Sequence, residues 1–382
     1  MLKNKPYLSV VATSRNDDHG GNALWRTQHF VSGLAAQALV HEVSIELILV
    51  DWNPPADKSD LVDALAWPEN NPYFHYRVVQ VPAVYHQQFQ FADKLPLFQY
   101  LAKNVGIRRA QGEYVLATNI DILFSDKLMQ FIKGGLQPGH CYRVDRFDID
   151  PNIPDGLPFP KILEYADSHV VRVNGLKGTL SYKQFHASFL EHLGRCLYRS
   201  LRIIIGYSLK NFNYYLTLPL SLKLLQKWRI GNFRKNFTSL MFSLRQQLGP
   251  KDKILHTGAC GDFTLLSKHD WDSIKAYPEW ALYSWHIDSV VMYQAHHNGM
   301  KMVNLDSSYR IYHIEHGQGS GWTPEGANLL FNRLDKNGIE YLDDDDLEEL
   351  FFQQILNKKV GKQTVYNQTW GAPDVVFPER GN

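Results

Sequence analysis

Cysteine is scarce in this chain of 382 residues: Cys141, Cys196 and Cys260 stand far apart, with no C-x-x-C pair. Three isolated thiols exclude a disulfide framework or a thiolate zinc site and fit a reducing compartment. No uninterrupted apolar run reaches the roughly 18 residues of a membrane-spanning helix. Charge of one sign is missing too. The 40 basic and 39 acidic residues nearly cancel, so the total gives no electrostatic footprint for nucleic acid. The amino-terminal stretch MLKNKPYLSVVATSRND enters a strand pattern at once, so no signal peptide is expected and a cytoplasmic location is. There is no internal repeat.

What is present is an ordinary globular composition, 44% apolar and 13% aromatic. The length suits two domains, or one large α/β domain with an insertion. Strand-like runs occur at 7–17, 44–55, 76–82 and 112–122, and helical spacing at 25–39 and 95–111. Their alternation predicts an α/β fold with a mostly parallel sheet flanked by helices. In such sheets a ligand sits beyond the carboxyl ends of the strands. Thr13 to Asp17, Asp51 to Asn53 and Asn119 to Asp121 are expected at that edge. The last of these lies in YVLATNIDILFSD (114–126). Alternation along the strand puts Asn119 and Asp121 on one face, where two oxygen donors could hold a hard divalent cation. Both residue types also simply begin turns.

Four blocks resemble glycosyltransferases of the GT-A fold, in particular the bacterial family 2-like group related to galactosyltransferases and chondroitin polymerases. They are LSVVATSRND with ELILVDWNPP; AKNVGIRRAQGEYVLATNIDILFSDKLM; GACGDFTLLSKHDWDSIKAYPEWALYSWHIDSVV; and YRIYHIEH. They cover about residues 7–150 and 255–320. The resemblance implies a Rossmann-like, mixed sheet with a nucleotide-sugar-binding half at 1–150 and an acceptor-binding half at 251–342. Outside the resemblance, the acidic run DDDDLEEL (343–350) is expected to start a surface helix, with a polar tail closing 343–382.

The resemblance also implies site residues. Asp121 and His313 would ligate Mn²⁺ or Mg²⁺, with His316 as substitute. Asn119 stands where an Asp is usual and would be a weaker partner. Thr13, Arg15 and Asp51 would line the nucleotide pocket, and Arg108 or Arg109 would reach phosphate or sit solvated on a helix face. Asp288 would be the general base of an inverting transfer, or else a helix cap. Asp262, Trp285, His286 and His316 would face substrate, and Trp280 would stack on a sugar or lie in the core. The Gly-rich stretch 315–326 looks like a loop that closes over donor and metal.

Residues 181–250 fall outside these blocks. Cations from Lys183 to Arg245 face a single acid, Glu191, among apolar and aromatic residues. This reads as a basic amphipathic helical insertion on an anionic membrane surface, or as a helical subdomain with solvated charges. No nucleic-acid module is seen, so nucleic acid is not an expected partner. The sequence reading is a hexosyl-type glycosyltransferase. It would move sugar from a nucleotide-sugar, expected to be a UDP-sugar, to a glycan or lipid-linked glycan of the bacterial surface, at the inner face of the cell membrane. Its rivals are a metal-independent transferase and a catalytically silent, membrane-docked subunit that binds the sugar-nucleotide.

Overall fold

The computed structural model describes residues 5–176, 178–186, 255–316, 326–351 and 369–382. The basic insertion, apart from 181–186, and the Gly-rich stretch 317–325 lie outside the described residues.

The strands are β1 (Leu8–Ser14), β2 (Ile45–Trp52), β3 (Phe74–Val81), β4 (Tyr114–Thr118), β5 (Ile122–Phe124), β6 (His140–Arg143), β7 (Asp145–Ile149), β8 (Val170–Gly175), β9 (Gly178–Ser181), β10 (Phe263–Ser267), β11 (Lys301–Asn304), β12 (Arg310–Ile314) and β13 (Glu379–Gly381). The helices are α1 (Ala23–His41), α2 (Leu61–Ala64), α3 (Ala83–His86), α4 (Gln99–Arg109), α5 (Asp126–Gly135), α6 (Phe159–Ser168), α7 (Tyr182–Phe185), α8 (Lys268–Ile274), α9 (Ile287–His297), α10 (Ala327–Lys336) and α11 (Asp344–Phe351). None of the described helices is long and apolar enough to cross a membrane.

Eight strands form the main sheet in the order β11-β6-β10-β4-β1-β2-β3-β13. The centre, β4-β1-β2-β3, is parallel; β10 runs antiparallel between β4 and β6, and β13 antiparallel on β3. This is the mixed, mostly parallel α/β architecture that the resemblance implied. Strand β10, from the second half of the chain, is inserted into the sheet built by the first half.

The central strands read as mostly apolar runs because both faces are covered. On β2, Ile48, Val50 and Trp52 pack in one core with α4, α8 and α9, while Ile45, Leu47 and Leu49 pack in the other with α1 and α5. Gly106 lets α4 lie close to the sheet: a Cβ there would come within 2.5 Å of Val11 Cγ1. Asn104, two residues earlier, clasps the backbone of Tyr277 through both ends of its amide, at 2.8 and 3.0 Å. Ser125 and Ser267 cap α5 and α8 with their hydroxyls, each cap being worth about 1 kcal/mol.

A second sheet, β5-β12-β7-β8-β9, stands beside the first. Alternation makes it two-faced. Phe147, Ile149, Val173, Tyr312 and Ile314 pack in one apolar cluster with α6 residues Ile162 and Leu163, and Arg146, Asp148, Arg172, Asn174 and His313 alternate with them on β7, β8 and β12.

The fourth predicted strand, 112–122, is two strands. It leaves the main sheet at Thr118, whose Oγ1 donates to Asp262 O at 2.7 Å, and joins the second sheet at Ile122. Asn-Ile-Asp is the crossing between sheets, so alternation does not carry Asn119 and Asp121 to one face.

Candidate metal and substrate site

The crossing puts Asp121 where β4 of the parallel sheet ends, 5% exposed. β12 brings His313 beside it and the following residues bring His316. One donor atom from each of the three lies within 4.8 Å of the others. His316 Nε2 is 3.2 Å and His313 Nε2 is 3.7 Å from Asp121 Oδ2. Asp121 Oδ1 is buried without a hydrogen-bond partner. An orphaned carboxylate oxygen is costly unless something meets it. One carboxylate and two imidazoles fit a divalent ion, Mn²⁺ better than Mg²⁺.

The sequence reading missed Arg26. Its Nη1 donates to Asp121 Oδ2 at 2.8 Å, with both side chains almost sealed from solvent. Burial works against the Asp121 charge, but His313, His316 and Arg26 outweigh it and hold the carboxyl well below the usual range. Burial pushes the His316 imidazole below its ordinary value, against the pull of Asp121.

Asn119 turns elsewhere. Its Oδ1 accepts from Gln99 Nε2 and Lys103 Nζ, both at 2.8 Å, and its Nδ2 donates to Asp262 Oδ1 at 2.5 Å. With both amide ends engaged, Asn119 is not a ligand beside Asp121 in this arrangement, which corrects the expectation of a paired donor. Asp262 also accepts from Arg146 Nη1 at 2.6 Å, and Arg146 in turn meets Asp148 Oδ1 at 2.7 Å. Asp148 is also bound by Arg172 Nε at 2.9 Å and Asn174 Nδ2 at 2.6 Å. His313 Nδ1 lies 3.2 Å from Asp148 Oδ1, close but not aligned as a hydrogen bond. Burial disfavours the Asp148 charge, yet Arg146 above all, with His313 and Arg172, holds its carboxyl far below normal.

Asp288 is the second residue of α9. It is not the N-cap: that place belongs to His286, in the left-handed region with φ 63°, without a side-chain cap bond. Asp288 Oδ2 accepts from Gly261 N–H at 2.7 Å, and Oδ1 from Ser289 N–H at 2.9 Å. Lys103 Nζ donates to the carbonyl of the same Gly261 at 2.7 Å. One partly buried chain of polar contacts therefore runs from Asp288 through Gly261, Lys103, Asn119, Asp262 and Arg146 to Asp148.

Thr13, Arg15 and Asp51 gather at the carboxyl ends of β1 and β2. Thr13 Oγ1 donates to Val50 O at 3.2 Å; Arg15 donates to Asn53 O at 2.5 Å and pairs with Asp17 at 2.7 Å. Asp51 accepts from Leu61 N–H at 3.2 Å, while its Oδ1 is buried without a partner. Burial pushes its carboxyl up to about 6.

His286 and Trp285 are engaged within the chain. His286 Nε2 is 2.8 Å from Asp344 Oδ1 of α11, and the Trp285 ring meets Phe331 edge-on at 5.4 Å. Trp280 packs partly buried on the core and lines a cleft of about 580 Å³ with Glu279, Leu282 and Leu350.

Arg108 is not at this site. Helix α4 leads into the start of β4, so its last turn sits at the opposite edge of the sheet. There the Arg108 guanidinium lies over Trp370 at 4.9 Å, and Arg109 donates to the carbonyls of Gly371, Ala372 and Val375 at 2.9, 3.2 and 2.7 Å. The phosphate-reaching role is thereby corrected: both arginines clamp the carboxyl-terminal segment. The clamp holds Trp370, Gly371, Ala372 and Val375. Gly371, at φ +70°, has no room for a Cβ, which would meet Arg108 Cβ and Asn104 O at 2.7 Å, and its N–H donates to Glu279 Oε1 at 2.7 Å.

No protein-family model and no curated protein matches the chain. Among solved structures, S. aureus TarS 1-349 in complex with UDP-GlcNAc is 10% identical with a TM-score of 0.39, over 91% of this chain and 71% of that one. GalNAc-T7 with UDP, GalNAc and Mn²⁺ is 14% identical with a TM-score of 0.41, over 93% of this chain and 57% of that one. The mixed α/β architecture is read from the chain's own strand order.

Proposed function

We propose that the chain is a glycosyltransferase that moves a sugar from a nucleoside diphosphate donor, a UDP-sugar by resemblance, to a hydroxyl of a glycan. The observation that carries this is the Asp121–His313–His316 cluster at the carboxyl edge of the parallel strands, with the Asp288 carboxylate at the far end of a chain of polar contacts that reaches Asp148, beside His313. A divalent ion held by those three residues would neutralise the departing diphosphate. Asp51, with Thr13 and Arg15, forms the wall where a nucleoside is read. Asp288 takes the proton from the acceptor hydroxyl as that oxygen attacks the anomeric carbon and the bond to the diphosphate breaks. Its two carboxylate oxygens are oriented by the Gly261 and Ser289 N–H groups, which fixes the direction of the base.

A second reading has a specific observation behind it. Arg26 already occupies Asp121 Oδ2, and a guanidinium can itself serve a diphosphate, so the transfer would need no metal. A silent sugar-nucleotide-binding subunit is the remaining rival. The acceptor as a lipid-linked surface glycan, and attachment to the membrane face through 181–250, are proposals from the sequence alone.

The test is calorimetric titration of UDP with Mn²⁺ and with EDTA, for the wild type and Asp121→Asn, followed by slow hydrolysis of a panel of UDP-sugars. UDP binding that needs both the metal and Asp121 supports the first reading. Binding and hydrolysis indifferent to EDTA favour the second. Binding without any hydrolysis leaves the silent subunit, and absence of UDP binding overturns the UDP-sugar reading.

A further inference from the structure

The Asp121 cluster carries its own positive charge before any ion arrives. Arg26 is in the first turns of α1 and 3% exposed at its side chain. Its three nitrogens are all satisfied: Nη1 by Asp121 at 2.8 Å, Nη2 by the carbonyls of His19 at 2.5 Å and Gly21 at 3.2 Å, and Nε by Gly21 O at 3.3 Å. The guanidinium is thus built into the loop between β1 and α1 as well as into the cluster. Among the described residues, position 119 carries an amide, and Asp148, beside His313, shares Arg146 with Asp262 and Arg172 with Glu315. Imidazole ligands bind as neutral groups. The single carboxylate of the cluster is therefore neutralised.

A bare divalent ion entering this pocket would gain two neutral ligands and a shared carboxylate, but would meet a fixed guanidinium at close range in a medium that screens poorly. An ion that enters with a diphosphate brings its own anion, and that anion is attracted by Arg26 as well. We infer that Arg26 is a resident counter-cation that keeps the cluster closed to a free divalent ion and admits it together with a nucleoside diphosphate. This rests on the proposed cation site. By linkage, UDP raises the affinity for the ion by the same factor as the ion raises the affinity for UDP.

The test is Mn²⁺ binding, followed by the electron-spin-resonance signal of the free ion, with and without UDP. Wild type, R26Q, R26K and D121N are compared, and Mn²⁺ taken up by UDP is subtracted from protein-free titrations. Saturating UDP is expected to tighten Mn²⁺ binding to the wild type by roughly tenfold or more. R26Q is expected to bind Mn²⁺ without UDP roughly tenfold tighter than the wild type, and to lose most of the coupling. R26K, which keeps the charge, follows the wild type. Equal affinity of the wild type for Mn²⁺ with and without UDP overturns the inference, and needs no variant to fold. So does an R26Q protein that melts cooperatively yet binds the bare ion no tighter, provided that D121N abolishes binding in parallel. No Mn²⁺ uptake by the wild type or R26Q, with UDP or without, or uptake indifferent to D121N, overturns the cation site itself and the inference with it.

Discussion

Lys103, sealed from solvent on α4, donates from Nζ to Asn119 Oδ1 at 2.8 Å, and so holds the amide away from Asp121. The same ammonium donates to Gly261 O. Burial pushes its pKa down to about 8, although Asp262, Asp288 and Asp121 pull upward. For a base with a depressed folded pKa the unfolded chain binds the proton first. This group therefore adds stability as pH rises from about 8 towards the ordinary lysine value. Urea unfolding of the wild type and Lys103→Met is the check. The difference in unfolding free energy should shift by about 2 kcal/mol in favour of the wild type between pH 8 and pH 9.5. A constant difference would show that Lys103 does not titrate in that window.

Asp51 is the opposite case, an acid whose folded pKa is raised to about 6 by burial. The folded state then holds the proton more tightly than the unfolded one, and stability falls as pH rises from about 4 to about 6. Asp51→Asn is expected to be more stable than the wild type above pH 6 by about 3 kcal/mol, and to lose that gain below pH 4. If Asp51 reads the nucleoside as proposed, UDP affinity drops in the same variant.

The carboxyl-terminal clamp separates structure from function. Gly371→Ala places a methyl against Arg108 and Asn104 at a positive φ, and should cost about 1–3 kcal/mol in thermal or urea unfolding. Arg108→Ala should lower the melting temperature while UDP affinity stays within about a factor of two. A large loss of UDP binding in Arg108→Ala would restore the phosphate role.

Asp288→Asn keeps an oxygen to accept from Gly261 N–H and removes the base. Transfer, or donor hydrolysis, should slow by about 10²–10⁴, with UDP affinity unchanged. Turnover at the wild-type rate would take the proton-accepting role away from Asp288.

Much of the architecture was legible in the residue pattern, because strands buried on both faces read as mostly apolar runs, as VVA of β1, LILV of β2 and YVLA of β4 do. The acidic run 343–350 was read as the start of a helix, and α11 forms over Asp344–Phe351. The grouping of Asp121 with His313 and His316 came from resemblance, and the chain does bring them together. Asn119 was misplaced for a local reason: alternation holds only while the strand lasts, and this one ends at Thr118.

The charged partners were not legible. Arg26 sits in a run that looks like any amphipathic helix, 95 residues before Asp121. Lys103 and Arg108 lie five residues apart on one helix, yet one is buried among acids and the other covers Trp370. By itself the sequence determined the period of each segment, which faces were apolar, and therefore which segments became strands and helices of a layered sheet. Which buried charge meets which was decided only when β10 inserted between β4 and β6 and β12 paired with β5 and β7. Ion pairing depends on distance in space, and hydrophobic periodicity carries no record of it.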